Sequence, residues 1–300
     1  MNVIHQHIGT QAAIDAAYIT DADGLITADT IAFNDNNPAA DTITDSGNGF
    51  VAAGFIAGQV IAITGSTSNN ITVTIATVAA GLITLVAADA LTNELAGATV
   101  TLTSTFRDVT AAFAAAATDV ELFGADNDVM LIAATAIFDQ INVLLNIPSS
   151  TTISPTFHYI ESGAGTWTLF TTGDDTNGFQ QNGSIRWDSA ALLLPTWGMR
   201  TINEVIGAAG AVDYYWIKVT RTRNLVVTPP TEDTIAVTTS GTFHEWDSEG
   251  RLAIKTFAQA AEPTVADLPA GKHCFWSDTT GTDLWLCYNH GGTVKSVQLT

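Results

Sequence analysis

The chain has 300 residues, of which 46% are hydrophobic and 13% are charged, and its formal net charge is −20. Residues 1–185 carry 18 Asp and Glu against the single basic residue Arg107, which excludes nucleic-acid binding because phosphate contacts need Lys and Arg. The same charge disfavours contact with anionic membranes, and the longest mostly apolar run, 129–138, is about half as long as a membrane-spanning helix needs.

The charge divides as −17 over residues 1–185 and −3 over 186–300, which predicts at least two modules in different surroundings. The first residues lack the basic and apolar regions of a secretory signal, so we expect a soluble protein made in a cytoplasm. Residues 1–40 show no sustained hydrophobic period, and a turn is predicted over 34–38. We therefore predict an N-terminal extended arm, 1–40, which becomes ordered by docking on a partner.

Short stretches of alternating Val, Ile and Thr begin at residue 41 and are typical of strands, because side chains on a pleated strand point to opposite faces in turn. A spacing of about 12 residues predicts a small antiparallel β-barrel or sandwich over 41–105. Its five predicted strands cover 42–44, 59–64, 71–78, 82–87 and 99–103.

A larger β-sandwich, jelly-roll-like, is predicted over 106–240. It starts with a short helix or turn at 111–118, where only Phe113 is a large apolar residue. Its predicted strands cover 129–132, 138–145, 156–160, 167–171, 183–187 and 214–220. The chain after Pro229 and Pro230 is predicted to be extended and polar as far as residue 239.

A C-terminal β-hairpin module is predicted over 241–300, with a first hairpin of 242–246 and 251–256, a linker at 263–269 and a last strand at 293–299. A two-residue turn at 280–281 would place Cys274 opposite Cys287, Phe275 opposite Leu286 and Trp276 opposite Trp285. The favoured interpretation is that both cysteines are small buried side chains under a Trp pair. A cross-strand disulfide is the alternative.

Two loops have some of the oxygen ligands that calcium prefers. Asp21–Gly24 with Asp29 starts like a calcium loop but lacks the third ligand and the closing Glu, and Gly173–Asn177 offers several side-chain oxygens. A solvated turn is the favoured interpretation of both, because Asp and Asn also favour turns.

The histidines and the known nucleophile motifs give no stronger indication of a metal-binding or catalytic site than these loops do. His5 and His7 would share one face of a strand and could chelate zinc around a symmetry axis, but an unpaired polar arm is favoured. The other histidines show no ligand spacing, and Gly-x-Ser-x-Gly, Walker and Rossmann patterns do not occur. We therefore assign no catalytic, cofactor-binding or metal-binding residue, and we expect no cofactor.

Glycoside hydrolysis needs two carboxyl groups about 5 to 9 Å apart. No pair stands out among the carboxylates that lie near Trp in the sequence, which are Glu161, Asp174, Asp175, Glu204 and Glu245. Trp197 is the best candidate for an exposed, sugar-stacking aromatic, although burial is favoured for it and for the Trp residues of the predicted strands.

Turn motifs rich in Gly, Asn and aromatic residues recur in three stretches: Asp41–Phe50 with Ile63–Gly65 and 91–102; Gly165–Trp167 with Asp175–Phe179 and Tyr215–Val219; and Ala266–Gly271 with Phe275–Trp276 and Gly291–Thr293. The first stretch resembles a small β-module of tail and capsid-associated proteins of tailed bacteriophages. The second is similar to a sandwich domain of virion proteins, and the third resembles terminal β-modules of phage fibres and decoration proteins. The resemblance implies a virion protein and brings no catalytic motif.

We therefore expect a non-enzymatic structural protein of a tailed bacteriophage virion, assembled in the host cytoplasm. The expected role is that of a capsid decoration or cement protein, which binds across capsid subunits and stabilises the shell. Its expected partners are itself, as a homo-oligomer with a trimer as the favoured state, and the major capsid protein or other virion proteins, with no nucleic acid and no membrane. The alternatives are a tail fibre or baseplate component that recognises a host glycan, and a polysaccharide depolymerase.

Overall fold

A computed structural model describes residues 5–6, 11–163, 165–187, 196–239, 244–246, 252–253, 256–259, 263, 273–278, 284–290 and 293–299. These residues form mostly β-strands in several sheets, none of them a closed barrel, which confirms the predicted all-β class. The chain divides into two compact units, one of residues 11–239 and one of residues 1–10 with 240–300. Within the described residues no helix is long and apolar enough to span a membrane.

The elements are numbered along the chain. The strands are β1 (His5–Gln6), β2 (Gln11–Ala12), β3 (Ala16–Thr20), β4 (Leu25–Ala28), β5 (Ile31–Asn34), β6 (Thr42–Asp45), β7 (Gln59–Thr64), β8 (Thr72–Ala79), β9 (Leu82–Leu85), β10 (Val100–Asp108), β11 (Val129–Ala134), β12 (Phe138–Ile147), β13 (Pro155–Ile160), β14 (Trp167–Phe170), β15 (Gly173–Asp174), β16 (Gly183–Arg186), β17 (Met199–Thr201), β18 (Asp213–Arg221), β19 (Thr231–Thr239), β20 (His244–Trp246), β21 (Leu252–Ala253), β22 (Thr256–Gln259), β23 (His273–Asp278), β24 (Leu284–His290) and β25 (Thr293–Leu299). The helices are α1 (Thr110–Phe113) and α2 (Ile202–Ile206).

Thirteen strands of the larger unit form one sheet in the order β14-β13-β18-β11-β3-β10-β7-β8-β9-β6-β5, with β17 paired to β18 and β4 paired to β10. β3 lies between β11 and β10, and Ala17 and Tyr18 on it are buried. The predicted arm without a fold of its own is therefore wrong for residues 11–34, which form β2 to β5. Four consecutive buried residues on β3 remove the alternation that would have identified it as a strand.

The small predicted module has its own core, centred on Phe50, Phe55 and Ile61, and this core also takes Ile31 and Phe33 from upstream of residue 41. Phe50 and Phe55 meet edge to face, with ring centroids 6.1 Å apart. β10 runs past the expected boundary at 105 and pairs with β3, β4 and β7. β10 therefore joins the strands of the small module to β3 in one sheet.

The second core of the larger unit lies between the large sheet and a five-stranded sheet, β15-β16-β12-β19-β2. Ile132 and Ile217 come from the large sheet, and Ile141, Ile185 and Val237 come from the smaller one. Alternate residues of both sheets thus interleave in a β-sandwich, as predicted for this part of the chain. The predicted polar extended segment before residue 239 is a full strand of this sandwich.

The two helices are short. α1 has four residues, three of which lie in the predicted stretch 111–118, and it buries Phe113. α2 was not predicted, although the Thr201 side chain accepts a hydrogen bond from the Glu204 N–H and the Glu204 carboxylate accepts one from the Thr201 N–H. This capping box is a start signal that can be read from sequence, and Gly207 at φ 79° ends the helix.

The smaller unit contains a sheet β1-β20-β21 and a sheet β22-β23-β24-β25. Glu245 pairs with Ala253 in the first sheet, as expected for the predicted hairpin, whose turn lies outside the described residues. In the second sheet β22 and β23 run parallel, and the other pairs are antiparallel. Of the predicted linker, only Pro263 is among the described residues.

The predicted register of the Cys and Trp hairpin is confirmed. Cys274 faces Cys287, Phe275 faces Leu286, and Trp276 faces Trp285. Both cysteines are fully buried, and the two Trp rings stack with centroids 5.8 Å apart. This agrees with the interpretation of small buried side chains under a Trp pair.

Candidate functional site

The loop at Gly173–Asn177 is held together by its own polar groups. The Asp174 carboxylate accepts hydrogen bonds from the Thr176 N–H at 2.8 Å, the Thr176 hydroxyl at 2.5 Å and the Gly178 N–H at 2.9 Å. Asp175 forms an ion pair with Arg186. Because the loop supplies its own donors, the geometry favours a structural turn over a calcium site.

Asp21 in the other calcium candidate is also used by the fold. Its carboxylate accepts a hydrogen bond from the side-chain amide of the fully buried Gln59 at 2.9 Å and lies 3.4 Å from Nε of Arg107. These two contacts hold the end of β3 against the core of the small module. Over the described residues, no three His, Cys, Asp or Glu side chains are arranged to hold a metal ion. The side chains of His5 and His7 lie outside that set.

The other described glycosidase candidates, Glu161 and Glu204, each make a different local contact within the fold. Glu161 accepts hydrogen bonds from the hydroxyls of Thr166 at 3.1 Å and Thr168 at 2.7 Å. Glu204 caps α2, and the Glu245 side chain is outside the described part of the chain. Each described candidate thus has a local structural partner.

Trp187, Trp197 and Trp216 are buried, as predicted, whereas Trp167 is only partly buried. Trp197 is 3% exposed, donates a hydrogen bond from Nε1 to the Trp216 carbonyl at 3.1 Å, and meets Phe138, Trp187 and Tyr215 edge to face. Trp216 is fully buried. Trp197 therefore offers no exposed ring face on which a sugar could stack.

Three side chains on β13, β14 and β18 form a half-buried group that the sequence did not reveal, and we call it the His–Trp–Lys cluster: His158, Trp167 and Lys218. His158 and Lys218 are neighbours in register, and Lys218 Nζ lies 4.7 Å from the centroid of the Trp167 ring. Leu169 beside it is 63% exposed. Its three members lie on different strands, so only the sheet register identifies the cluster.

Burial shifts the titration of this cluster. It lowers the pKa of Lys218, and burial together with the nearby Lys218 charge lowers the pKa of His158. Both shifts have the sign expected when a cation loses contact with water. The Lys218 ammonium over the Trp167 ring is a cation–π contact, in which the ring quadrupole attracts the charge.

A buried carboxyl lies on β19, in the bulged part of its pairing with β12. Glu232 is fully buried; its Oε1 accepts a hydrogen bond from the Val120 N–H at 3.2 Å, while Oε2 has no partner among the described residues. Burial raises the pKa of Glu232 to about 7, and the charges of Asp119 and Asp233 act in the same direction. No sequence pattern marked this residue.

The sheet β22-β23-β24-β25 has two apolar faces. One holds the buried Cys274, Trp276 and Cys287. The other, which we call the C-terminal outer face, consists of partly or largely exposed side chains on β24 and β25: Leu284, Leu286, Tyr288, Val297 and Leu299.

Comparisons with known proteins assign no family to this chain: no family model matches it, and no curated protein matches it. Its function therefore has to follow from its own side chains. In the described residues, the candidate carboxylates close loops and cap a helix. The His–Trp–Lys cluster and the C-terminal outer face, by contrast, present aromatic and apolar groups to solvent.

Proposed function

We propose that the chain is a non-enzymatic structural protein of a bacteriophage particle, acting as a decoration or cement protein on the capsid. The observation that carries this proposal is the structural use of the candidate catalytic carboxylates, of which Glu161, Asp174 and Glu204 each accept hydrogen bonds from their own loop or cap. A glycosidase instead needs two carboxyl groups that face one substrate, one of them with a raised pKa.

The charge distribution supports protein partners in place of nucleic acid. The unit of residues 11–239 carries 23 acidic and 6 basic residues, so it favours neutral or cationic protein surfaces and repels packaged genome. The resemblance of residues 41–102 and 266–293 to phage modules supports a position in the particle. Burial of apolar area across capsid subunits would oppose their separation, and repeated copies would strengthen the effect.

A density map of the particle that contains this chain tests the proposal. We expect density for the fold at symmetry-related positions on the outside of the shell, with the acidic unit away from DNA. Density only at the tail tip or baseplate would contradict the decoration role. Absence of the chain from purified particles would contradict a virion role altogether.

The second candidate is a fibre or baseplate protein that recognises a host glycan, and the His–Trp–Lys cluster is the observation that favours it. Sugar rings stack on aromatic side chains, and Lys218 beside Trp167 would suit an acidic sugar. Under this alternative, Trp167→Ala abolishes binding of the purified protein to host surface polysaccharide. The matched control Leu95→Ala changes an 89% exposed side chain elsewhere and leaves binding intact.

A further inference from the structure

The same six-residue pattern, Asp-x-x-Asn-Gly-Phe, occurs at 45–50 in the small module and at 174–179 in the sandwich, and we call these segments the Asn–Gly loops. The Asn of each loop has a left-handed backbone, with φ 57° at Asn48 and 52° at Asn177. Both Asn side chains are exposed, whereas the Phe that ends each loop is fully buried. Each loop therefore anchors an aromatic ring in a core and leaves an Asn at the surface.

The carboxylate at the start of each loop accepts a hydrogen bond from the glycine at its end. Oδ2 of Asp45 accepts from the Gly49 N–H at 2.7 Å, and Oδ2 of Asp174 accepts from the Gly178 N–H at 2.9 Å. The other oxygen of each carboxylate accepts from the N–H two positions further along the chain and from a threonine hydroxyl. The two loops thus share one hydrogen-bond pattern, although their Phe residues lie in different cores.

An Asn followed by Gly is especially prone to spontaneous deamidation, because a glycine without Cβ lets its nitrogen approach the Asn side chain. The Gly nitrogen attacks Cγ of the Asn, so that an N–Cγ bond forms and the Cγ–Nδ2 bond breaks. The amide nitrogen Nδ2 leaves as ammonia, which takes the proton of the Gly N–H, and a succinimide ring remains. Water then opens this ring to Asp or to isoaspartate.

The fold restricts the replacement of this dipeptide by a safer one. A left-handed φ favours Asn or Gly at positions 48 and 177. Gly178 itself has φ 67°, and a Cβ on it would lie 1.9 Å from Oγ1 of Thr152. Since the labile pair is required by the backbone, protection against deamidation has to come from another group.

We propose that the Asp45 and Asp174 carboxylates protect Asn48 and Asn177 from deamidation, so that each Asn–Gly loop is a latent modification site. The hydrogen bond holds the peptide plane of the glycine, which has to rotate before its nitrogen can reach Cγ. The negative charge beside the N–H also disfavours loss of the proton, and a carboxylate is too weak a base to remove that proton itself.

Deamidation at either loop would change the larger unit. Each event adds one negative charge to a unit that already carries −17, and isoaspartate adds one atom to the backbone next to a buried Phe. The proposal goes beyond a role in the particle, because it concerns the chemical lifetime of the folded chain wherever the chain lies.

Mass-spectrometric peptide mapping of the folded, full-length protein during incubation at mildly alkaline pH tests the proposal. We expect Asp45→Ala to raise the deamidation rate at Asn48 about tenfold or more, as loss of a hydrogen bond to a charged group implies, and to leave the rate at Asn177 unchanged. Asp174→Ala should raise the rate at Asn177 and leave that at Asn48 unchanged. Each variant thus contains its own control loop.

Thr30→Val is the matched control for the first loop. It removes the hydroxyl that donates to Oδ1 of Asp45 and leaves the bond from the Gly49 N–H to Oδ2. We therefore expect the rate at Asn48 in this variant to stay close to the wild-type rate. Acceleration equal to that in Asp45→Ala would show general loosening of the loop and would contradict the role of the Gly49 hydrogen bond.

Far-ultraviolet circular dichroism checks that each variant is folded. Unchanged rates at Asn48 in Asp45→Ala and at Asn177 in Asp174→Ala overturn the proposal, as does equal acceleration of both sites in either variant. The wild type supplies a test that needs no variant, since its Gly49 and Gly178 amide hydrogens should exchange slowly with solvent. Exchange as fast as in an unfolded chain would also overturn the proposal.

Discussion

Glu232 makes the stability of the fold depend on pH near neutrality. Burial raises its pKa from 4.5 to about 7, so the folded state binds the proton more tightly than the unfolded chain. Protonated Glu232 contributes fully to the free energy of unfolding below about pH 4.5. This contribution falls as the pH rises from there to about 7, and it is lost above that pH. The charges of Asp119 and Asp233 face the same carboxyl and enlarge this effect.

We predict that Glu232→Gln becomes more stable relative to the wild type as the pH rises from 5 to 8, by about 1 to 3 kcal/mol in unfolding free energy. Urea denaturation across this pH range measures the difference. Glu121→Gln is the control, because this exposed carboxylate lies in the same stretch that pairs with β19. Parallel pH profiles for the wild type and Glu232→Gln would disprove the assignment.

Sequence patterns do not identify hydrogen bonds between residues that lie far apart in the chain. The buried Arg221 guanidinium donates to the Phe123 carbonyl and to Asp126, about a hundred positions earlier in the chain. Local partners are different, since the Asp174 turn and the Thr201–Glu204 cap use neighbours within four residues. Sequence patterns therefore identify turns and caps, whereas the His–Trp–Lys cluster needs the sheet register.

At the scale of elements, prediction succeeded where a strand has one buried face. The predicted strands 42–44 and 71–78 agree within one residue with β6 and β8, whose first four residues alternate between half-buried and buried. It failed for β3, whose four consecutive buried residues show no alternation, and for the parallel strand β22, whose partner lies beyond the predicted linker. Period-two patterns report a contrast between core and solvent, which strands without such a contrast lack.

The central position of β3 predicts a large effect from a single charge. Ala17 is fully buried between β11 and β10, so Ala17→Asp places a carboxylate in the sheet without a counter-charge. We expect a loss of more than about 3 kcal/mol in unfolding free energy or failure to fold. Ala52→Asp, at an exposed position, should change the free energy little. Urea denaturation compares the two, and similar midpoints would restore the arm hypothesis.

At the scale of the whole molecule, we predict that the protein has no hydrolytic activity. Its described candidate carboxylates hold loops and cap a helix, and each has a local structural partner. We expect the purified protein to release no reducing ends from capsular polysaccharide, lipopolysaccharide or peptidoglycan above a buffer control. Release that Glu161→Gln or Asp174→Asn abolishes would establish the depolymerase alternative.

The placement of β3 also sets an order of events during synthesis. Its partners, β10 and β11, follow it by about 80 to 110 positions, so the strand leaves the ribosome roughly 5 to 20 s before they are available. The core of the small module, by contrast, is complete once residues 31–102 have emerged. Vectorial folding therefore starts in the small module, and β3 is enclosed only after β10 and β11 have been synthesised.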